Sequence, residues 1–458
     1  MKKIFYLSVI SVLLLSSCQP NDGWQKLFNG KDLTGFVQLN GEAPYRVEDK
    51  CLVGTSVSGQ PNSFMATEQR YGDFILEFEV LCDPSLNSGV QFRSQSYQEF
   101  KNGRVHGYQS EIDPSDRAWS GGVYDEANRG WLVTLADNPA GQAAYKKSDW
   151  NLYRIEAIGD NIRIWLNGVN TANLTDNYYS EGFIAFQVHG IGDDKGKEGK
   201  EIKWRNIRIK TEELEAARLT GQLTAETNAI PNTLTAQEKA DGWKLLFDGQ
   251  TTNGWRGAHK EAFPEHGWKI ENGELHVAKS DGGESTNGGD IVTVDEYGAF
   301  ELSVEFKITS GANSGIKYFV TETEKPSGSA FGLEYQILDD KLHPDAKLYT
   351  TVPGSRTLAG LYDMMPGKGK RFNGVGAWNR AVIKSFPDKK VEYWLNGFKT
   401  LEFVRGSEEF REAVKGSKYA APAYNEHGRF GEAETGHILL QDHGDEVAFR
   451  SIKVRELK

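Results

Sequence analysis

The chain has 458 residues, with 53 Lys and Arg set against 64 Asp and Glu, a net charge of −11. Such an acidic balance repels phosphate backbones and leaves no extended basic face, which excludes nucleic acid as an expected partner. Fifty glycines and few segments of helix-length periodicity favour strands and turns over helices.

The first element is a targeting signal. Lys2 and Lys3 precede an apolar run from Ile4 to Leu15, and Leu15-Ser16-Ser17-Cys18 follows. The run is too short for a permanent span, and small residues before a cysteine suit lipoprotein signal peptidase. Residues 1–18 are therefore read as an export signal, with Cys18 as the lipidated residue. Gln19-Pro20-Asn21-Asp22 contains no dense acidic cluster, so the periplasmic face is expected rather than the cell surface. No later apolar segment approaches spanning length, which leaves the lipid as the expected anchor. Cys51 and Cys82 would then share an oxidising compartment, where a disulfide and two separate buried thiols are both open.

The rest of the chain is a tandem repeat. Asp22-Gly23-Trp24-Gln25-Lys26-Leu27-Phe28-Asn29-Gly30 returns as Asp241-Gly242-Trp243-Lys244-Leu245-Leu246-Phe247-Asp248-Gly249. Asn87-Ser88-Gly89-Val90 returns as Asn313-Ser314-Gly315-Ile316, and Trp165-Leu166-Asn167-Gly168 as Trp394-Leu395-Asn396-Gly397. Gly182 to Gly190 matches Gly436 to Gly444, and Trp204 to Ile209 matches Phe449 to Val454. The halves are placed at 22–210 and 241–458. Residues 211–240 form the linker, with a short helix over Glu212 to Arg218 and capping-box spacing at Thr235 to Glu238.

Within each half the apolar period is two. Phe74, Leu76, Phe78 and Val80 alternate with polar residues, as do Phe300, Leu302, Val304, Phe306 and Ile308. This predicts half-buried antiparallel strands. The two Asn-Gly pairs lie between apolar alternations and predict hairpin turns, with the adjacent Trp165 and Trp394 packing into the sandwich. The expected fold is all-β: two tandem jelly-roll sandwiches, each with one concave face open.

Polar residues inside such patterns are the candidates for chemistry. Gln109, Glu111 and Asp113 fall on one face of the first half's strand. In the second half Glu334 and Gln336 share a face, with Asp339 out of phase, so Gln-x-Glu has become Glu-x-Gln. Gln187 and His189 recur as Gln441 and His443, and histidine is the natural proton shuttle near neutral pH. Tyr124-Asp125 and Tyr362-Asp363 are expected to bind sugar hydroxyls. Arg93 follows the first Asn-Ser-Gly, but its counterpart is Phe319. There is no serine-hydrolase elbow, P-loop or zinc spacing of cysteines. A divalent cation on Glu111, Asp113 and His189 is open.

These motifs, with Trp150-Asn151 and Trp378-Asn379, Gly-x-Ile-x-x-Gln-x-His-Gly and the final Arg-x-Ile strand, resemble the 3-keto-disaccharide hydrolase domain family over nearly all of both halves. The resemblance implies a concanavalin-like jelly roll acting on glycosides already oxidised at C3 by a separate sugar 3-oxidoreductase. It also implies that Glu111, Asp113, Gln187 and His189 line one site, and that Glu334, Gln336, Asp339, Gln441 and His443 line the other. A ketone at C3 acidifies the C2 proton, so a base can remove it and the C1 oxygen can leave by β-elimination, water adding afterwards. His189 or His443 is the expected base, the facing carboxylate its orienter or the acid, and Arg93 or a metal the enolate partner. Phe319 in place of Arg93, or the insertion from Ile191 to Lys200, would mark a non-catalytic copy. Two other readings compete. A retaining endo-glucanase would use Glu111 and Asp113, but Pro114 interrupts its motif. A non-catalytic tandem carbohydrate-binding lipoprotein would leave its ligand unchanged.

Overall fold

The two-residue alternation becomes layered structure directly. In the strand Phe74–Cys82, Phe74, Leu76, Phe78 and Val80 are fully buried, while Glu77 and Glu79 on the opposite face pair with Arg154, Arg205 and Arg208. Each fully buried side chain of this kind contributes about 1.5–3 kcal/mol of apolar burial. The computed structural model describes residues 22–280, 283–322, 330–425 and 428–458, so the export signal and Cys18 lie outside the described residues. Among those described, no helix is long and apolar enough to cross a membrane.

Each half is a two-sheet sandwich. In the first, one sheet runs Thr227–Asn228, Val169–Thr175, Asn161–Leu166, Asn151–Ile158, Phe74–Cys82, Glu201–Lys210, Cys51–Thr55 and Tyr45–Glu48, with Trp24–Lys26 beside Glu201–Lys210. Its partner sheet, which carries the open face, runs Gly130–Val133, Val123–Glu126, His106–Ile112, Ser88–Gln95, Phe183–Val188, Ser63–Thr67 and Phe36–Asn40. The core between them includes Phe78 stacked on Tyr153 at 5.2 Å and Phe92 on Tyr108 at 5.4 Å.

The second half repeats the plan. Its face-bearing sheet is Trp255–Gly257, Ile291–Thr293, His437–Leu440, Asn313–Thr321 and Phe331–Leu338. Behind it stand Trp268–Glu271, Glu274–Val277, Val447–Glu456, Phe300–Ile308, Asn379–Ser385, Lys390–Leu395 and Phe398–Val404, with Lys244–Leu245 alongside Val447–Glu456.

Both Asn-Gly pairs form hairpin turns with consecutive positive φ: 49° and 84° at Asn167 and Gly168, 50° and 81° at Asn396 and Gly397. The adjacent tryptophans do not enter the cores. Ile164 and Leu166 take the inner positions, so Trp165 faces outwards beneath the linker at Gly221, and Trp394 faces outwards beneath Lys384 and Lys399. Cys51 and Cys82 are free buried thiols.

The linker is built into the molecule. Its short helices are Leu214–Ala217 and Ala236–Ala240, the latter with the Thr235–Glu238 capping box formed. Between them Thr227–Asn228 adds a parallel strand to Val169–Thr175 of the first half. On the other side Asn232 donates to the Gly273 carbonyl and Glu238 pairs with Lys453.

Candidate active site

The two open faces share one frame. Along the first, Gly89 lies opposite Glu111 and Gln91 opposite Gln109; along the second, Gly315 lies opposite Gln336 and Lys317 opposite Glu334. The glycine of each Asn-Ser-Gly makes room for a neighbour. A Cβ at Gly89 would stand 2.3 Å from Gln109 Cδ, and one at Gly315 would stand 2.4 Å from Glu334 Oε1. Gln187, on Phe183–Val188, and Gln441, immediately after His437–Leu440, are matching residues of the third strand in each face.

What fills the frame differs. In the first half Gln91 Nε2 donates to Gln109 Oε1 at 2.6 Å, and Gln109 Nε2 donates to Glu111 Oε2 at 2.9 Å. Asn87 Nδ2 donates to Glu111 Oε1 at 2.7 Å. Burial pushes the Glu111 carboxyl up to about 7, against the pull of those amides and of Arg117. Gln187 is fully buried, with neither amide atom partnered among the described residues. His106 stacks on Phe100 at 3.9 Å, closing this side of the face.

In the second half the Gln91–Gln109 pair is replaced by two ionisable groups, Lys317 and Glu334, both buried. Lys317 Nζ lies 3.5 Å from Glu284 and 3.7 Å from Asp290. Burial would lower the Lys317 ammonium, but Asp290, Glu334 and Glu284 outweigh it and hold it above the usual lysine range. Glu284 is pulled in the other direction: burial opposes ionisation, yet Lys317 and Lys418 bring it down to about 2. No described residue hydrogen-bonds the Glu334 carboxylate, and burial raises it despite Lys317 and Lys418. Gln336 Nε2 donates to Asn313 Oδ1 at 3.1 Å, and Asn313 Nδ2 meets His443 Nε2 at 3.3 Å. Gln441 Nε2 donates to Glu284 Oε1 at 3.1 Å, while Gln336 Oε1 and Gln441 Oε1 are buried without a described partner. The arrangement offers one fixed cation, one carboxyl biased towards its protonated form, and an imidazole at the rim.

Several expected site residues stand elsewhere. Asp113 lies just past the end of His106–Ile112, where it accepts from Ser115 and from Arg117 Nε at 2.7 Å, and the same Arg117 reaches Glu111 Oε1 at 3.3 Å. His189 lies beyond Phe183–Val188, exposed, with Nδ1 against the Gly190 carbonyl. Among the described residues no group of His, Cys, Asp or Glu is arranged to hold a metal, so Glu111, Asp113 and His189 do not assemble one. Arg93 points between the sheets, where it donates to the Gly72 and Gly159 carbonyls and pairs with Asp73. A bulge between Phe92 and Gln95 turns it inwards. Tyr124 and Asp125 point to opposite faces: Tyr124 packs on Trp131, while Asp125 is buried against Arg129 and Tyr179. Asp363 organises a loop through Thr350, Arg356 and the Lys418 N–H, and Asp339 caps the Gly311 and Lys341 N–H groups. Tyr362 does reach the site, its ring under Lys418 at 4.5 Å.

Sequence reasoning missed Lys317, Glu284 and Lys418. Lys317 was accessible to the rule that found Glu334, being a charge inside an apolar alternation; the other two sit on aperiodic loops. A cleft of about 960 Å³ between the halves is a different kind of place. Its lining includes the ion pairs Glu301–Arg455 and Glu305–Arg450 as well as Asp137, and Trp378 and Trp394 lie beneath cations.

Fold and site together describe a tandem jelly-roll protein with one charged and one largely neutral version of the same face. The chain belongs to the 3-keto-alpha-glucoside-1,2-lyase-like domain family, whose sequence profile matches residues 23–210 and again 242–455. It is 36% identical over 236 residues to the 3-keto-disaccharide hydrolase of Bacteroides thetaiotaomicron, covering 48% of this chain and 79% of that protein. A crystal structure from Parabacteroides distasonis, described as a candidate glycosyl hydrolase, is 31% identical and covers 50% of this chain and all of its own, with a TM-score of 0.43. A second from the same organism is 24% identical over 47% of this chain and 99% of its own, with a TM-score of 0.34.

Proposed function

We propose that this protein cleaves glycosides oxidised at C3, and that the second half carries the reaction. The observation behind this reading is the Lys317–Glu334 pair, where the first half has Gln91–Gln109 on an otherwise matching frame. C2–H is removed by His443, the C1–O bond breaks by β-elimination, and Glu334, whose hold on its proton burial strengthens, delivers a proton to the departing oxygen. Lys317 supplies fixed positive charge for the electron density that moves towards C3. Water then adds at C1, making the net change hydrolysis. Gln336 and Gln441 present unpartnered carbonyl oxygens to sugar hydroxyls. The first half, lacking the ionisable pair, holds a sugar without cleaving it. A C3-oxidised substrate requires a sugar 3-oxidoreductase upstream, and the lipid on Cys18 would keep the enzyme at the periplasmic membrane face.

Time-resolved NMR with a 3-keto-glucoside and its unoxidised parent tests this. Only the keto sugar is expected to be consumed, with kcat falling about 10²–10⁴-fold in Glu334→Gln and His443→Ala and changing little in Glu111→Gln and His189→Ala. Cleavage of the parent, or loss of activity in Glu111→Gln alone, would overturn the assignment.

A further inference from the structure

The second half carries a partly buried amine that the mechanism above leaves idle. Residues 405–435 form an insertion with no counterpart in the short segment between Thr175 and Gly182 of the first half. It contributes the helix Glu408–Lys415 and the short 3₁₀ turn Lys418–Ala420. The turn is fixed on three sides. Ser417 accepts from the Tyr419 N–H, the Lys418 N–H donates to Asp363 Oδ2 at 2.7 Å, and Tyr419 stacks on Phe430 at 4.0 Å. The Lys418 amine is thereby held 4.5 Å from the centre of the Tyr362 ring, 5.3 Å from that of Tyr419 and 5.8 Å from that of Tyr424. With Lys317 and Glu284 it lines a small cavity above the floor strands.

Among the described residues Lys418 forms no ion pair, whereas Lys317 beside it has two. The two lysines are therefore not equivalent. Burial, with Lys317 and Arg356 close by, holds the Lys418 ammonium below the usual lysine range despite the pull of Glu334 and Glu284. An unpaired amine enclosed by aromatic rings beside a second cation is the environment that makes lysine a carbonyl nucleophile.

We infer that Lys418 is a catalytic residue that forms an imine with the C3 carbonyl of the substrate. This rests on the reading that the substrate carries a ketone, and it makes the electron sink covalent. The amine adds to C3, and the resulting carbinolamine takes up a proton and loses water to give an iminium. Removal of the C2 proton yields an enamine. Its nitrogen lone pair reforms the C=N bond while the C2–C3 π pair becomes C1=C2, expelling the C1 oxygen, which takes its proton from Glu334. Water then adds at C1, C2 is reprotonated, and hydrolysis of the iminium frees the keto sugar and the amine. No oxidant or reductant is consumed.

Sodium cyanoborohydride, which reduces iminium ions in preference to ketones, provides the test on the full-length protein. With a 3-keto-glucoside present, the peptide bearing Lys418 should gain the mass of the sugar less one oxygen atom, with matching loss of activity. The unoxidised parent should leave no adduct, and folded Lys418→Arg, which keeps the charge without the nucleophile, should leave no adduct and turn over at least about 10²-fold more slowly. Cleavage of the keto sugar without an adduct, or turnover by Lys418→Arg at the wild-type rate, overturns the imine and leaves the proposed activity standing. An adduct without cleavage upholds the lysine's role and overturns the activity; neither adduct nor cleavage overturns both.

Discussion

Glu111 and Glu334 show how one frame gives two carboxyls different surroundings. Glu111 is held by Asn87 and Gln109, and Glu334 by no described hydrogen bond, yet burial raises both. For Glu111 the consequence is measurable as stability. The folded state holds the proton more tightly than the unfolded chain, whose carboxyl has the ordinary value of 4.5, so the associated stability is full below that value. It declines as pH rises through about 7. Melting curves of wild type and Glu111→Gln should therefore diverge in favour of the variant between about pH 5 and about pH 8, by about 2 kcal/mol. A constant difference across that range would mean that the carboxyl is ionised throughout. Residue types on alternating strands were legible in the sequence, which is why Gln109, Glu111, Glu334 and Gln336 were found. Arg93 was misread because a bulge breaks the count: its φ of 47° reverses the face that alternation assigns.

At the scale of elements, the same bulge recurs at Phe319, with φ 51°, and the two halves solve it differently. Arg93 fills the space between the sheets itself, whereas in the second half Arg405 lies over the Phe319 ring at 3.5 Å and donates to the Gly431 and Ala433 carbonyls. Arg405 and those two carbonyls bracket the insertion that bears Lys418. Strands and hairpins were readable because their period is local, but this insertion depends on tertiary contacts that no period announces. Its anchor is the helix Glu408–Lys415, capped by Ser407, with Phe410 and Val414 one turn apart on the buried side and Phe410 stacked on Phe403 at 5.9 Å. Phe410→Ala should remove about 3–5 kcal/mol of packing from this element. The expected result is faster proteolysis and hydrogen exchange within residues 408–425, together with loss of keto-glycoside turnover, while the sheets retain their protection. Full activity with the insertion unprotected would show that the floor strands suffice.

At the scale of the molecule, the question is whether two sandwiches joined by a polar linker behave as one body. The sequence presented residues 211–240 as a tether, but the backbone pairing of Thr227–Asn228 with the first half was invisible to pattern reading because two residues carry no period. On the opposite side Asn232 is bonded to Gly273 and Ser451 of the second half. Asn228 Nδ2 donates to Glu238 Oε2 at 2.9 Å, and the buried Glu238 also pairs with the largely covered Lys453, so one carboxylate ties a strand of each sandwich together. The halves also touch directly, with Phe398 5.0 Å from Trp119. Removing one partner of a buried pair leaves the other charge uncompensated, at a cost of about 3–5 kcal/mol. Glu238→Ala should therefore do more than lower the melting temperature. Lys453 lies on Val447–Glu456 in the middle of the second half's rear sheet, so that half should melt first and a single cooperative transition should divide in two. Differential scanning calorimetry distinguishes the cases: two separated endotherms in Glu238→Ala against one in wild type support a welded linker, and superimposable traces would reduce residues 211–240 to the tether that their composition suggests.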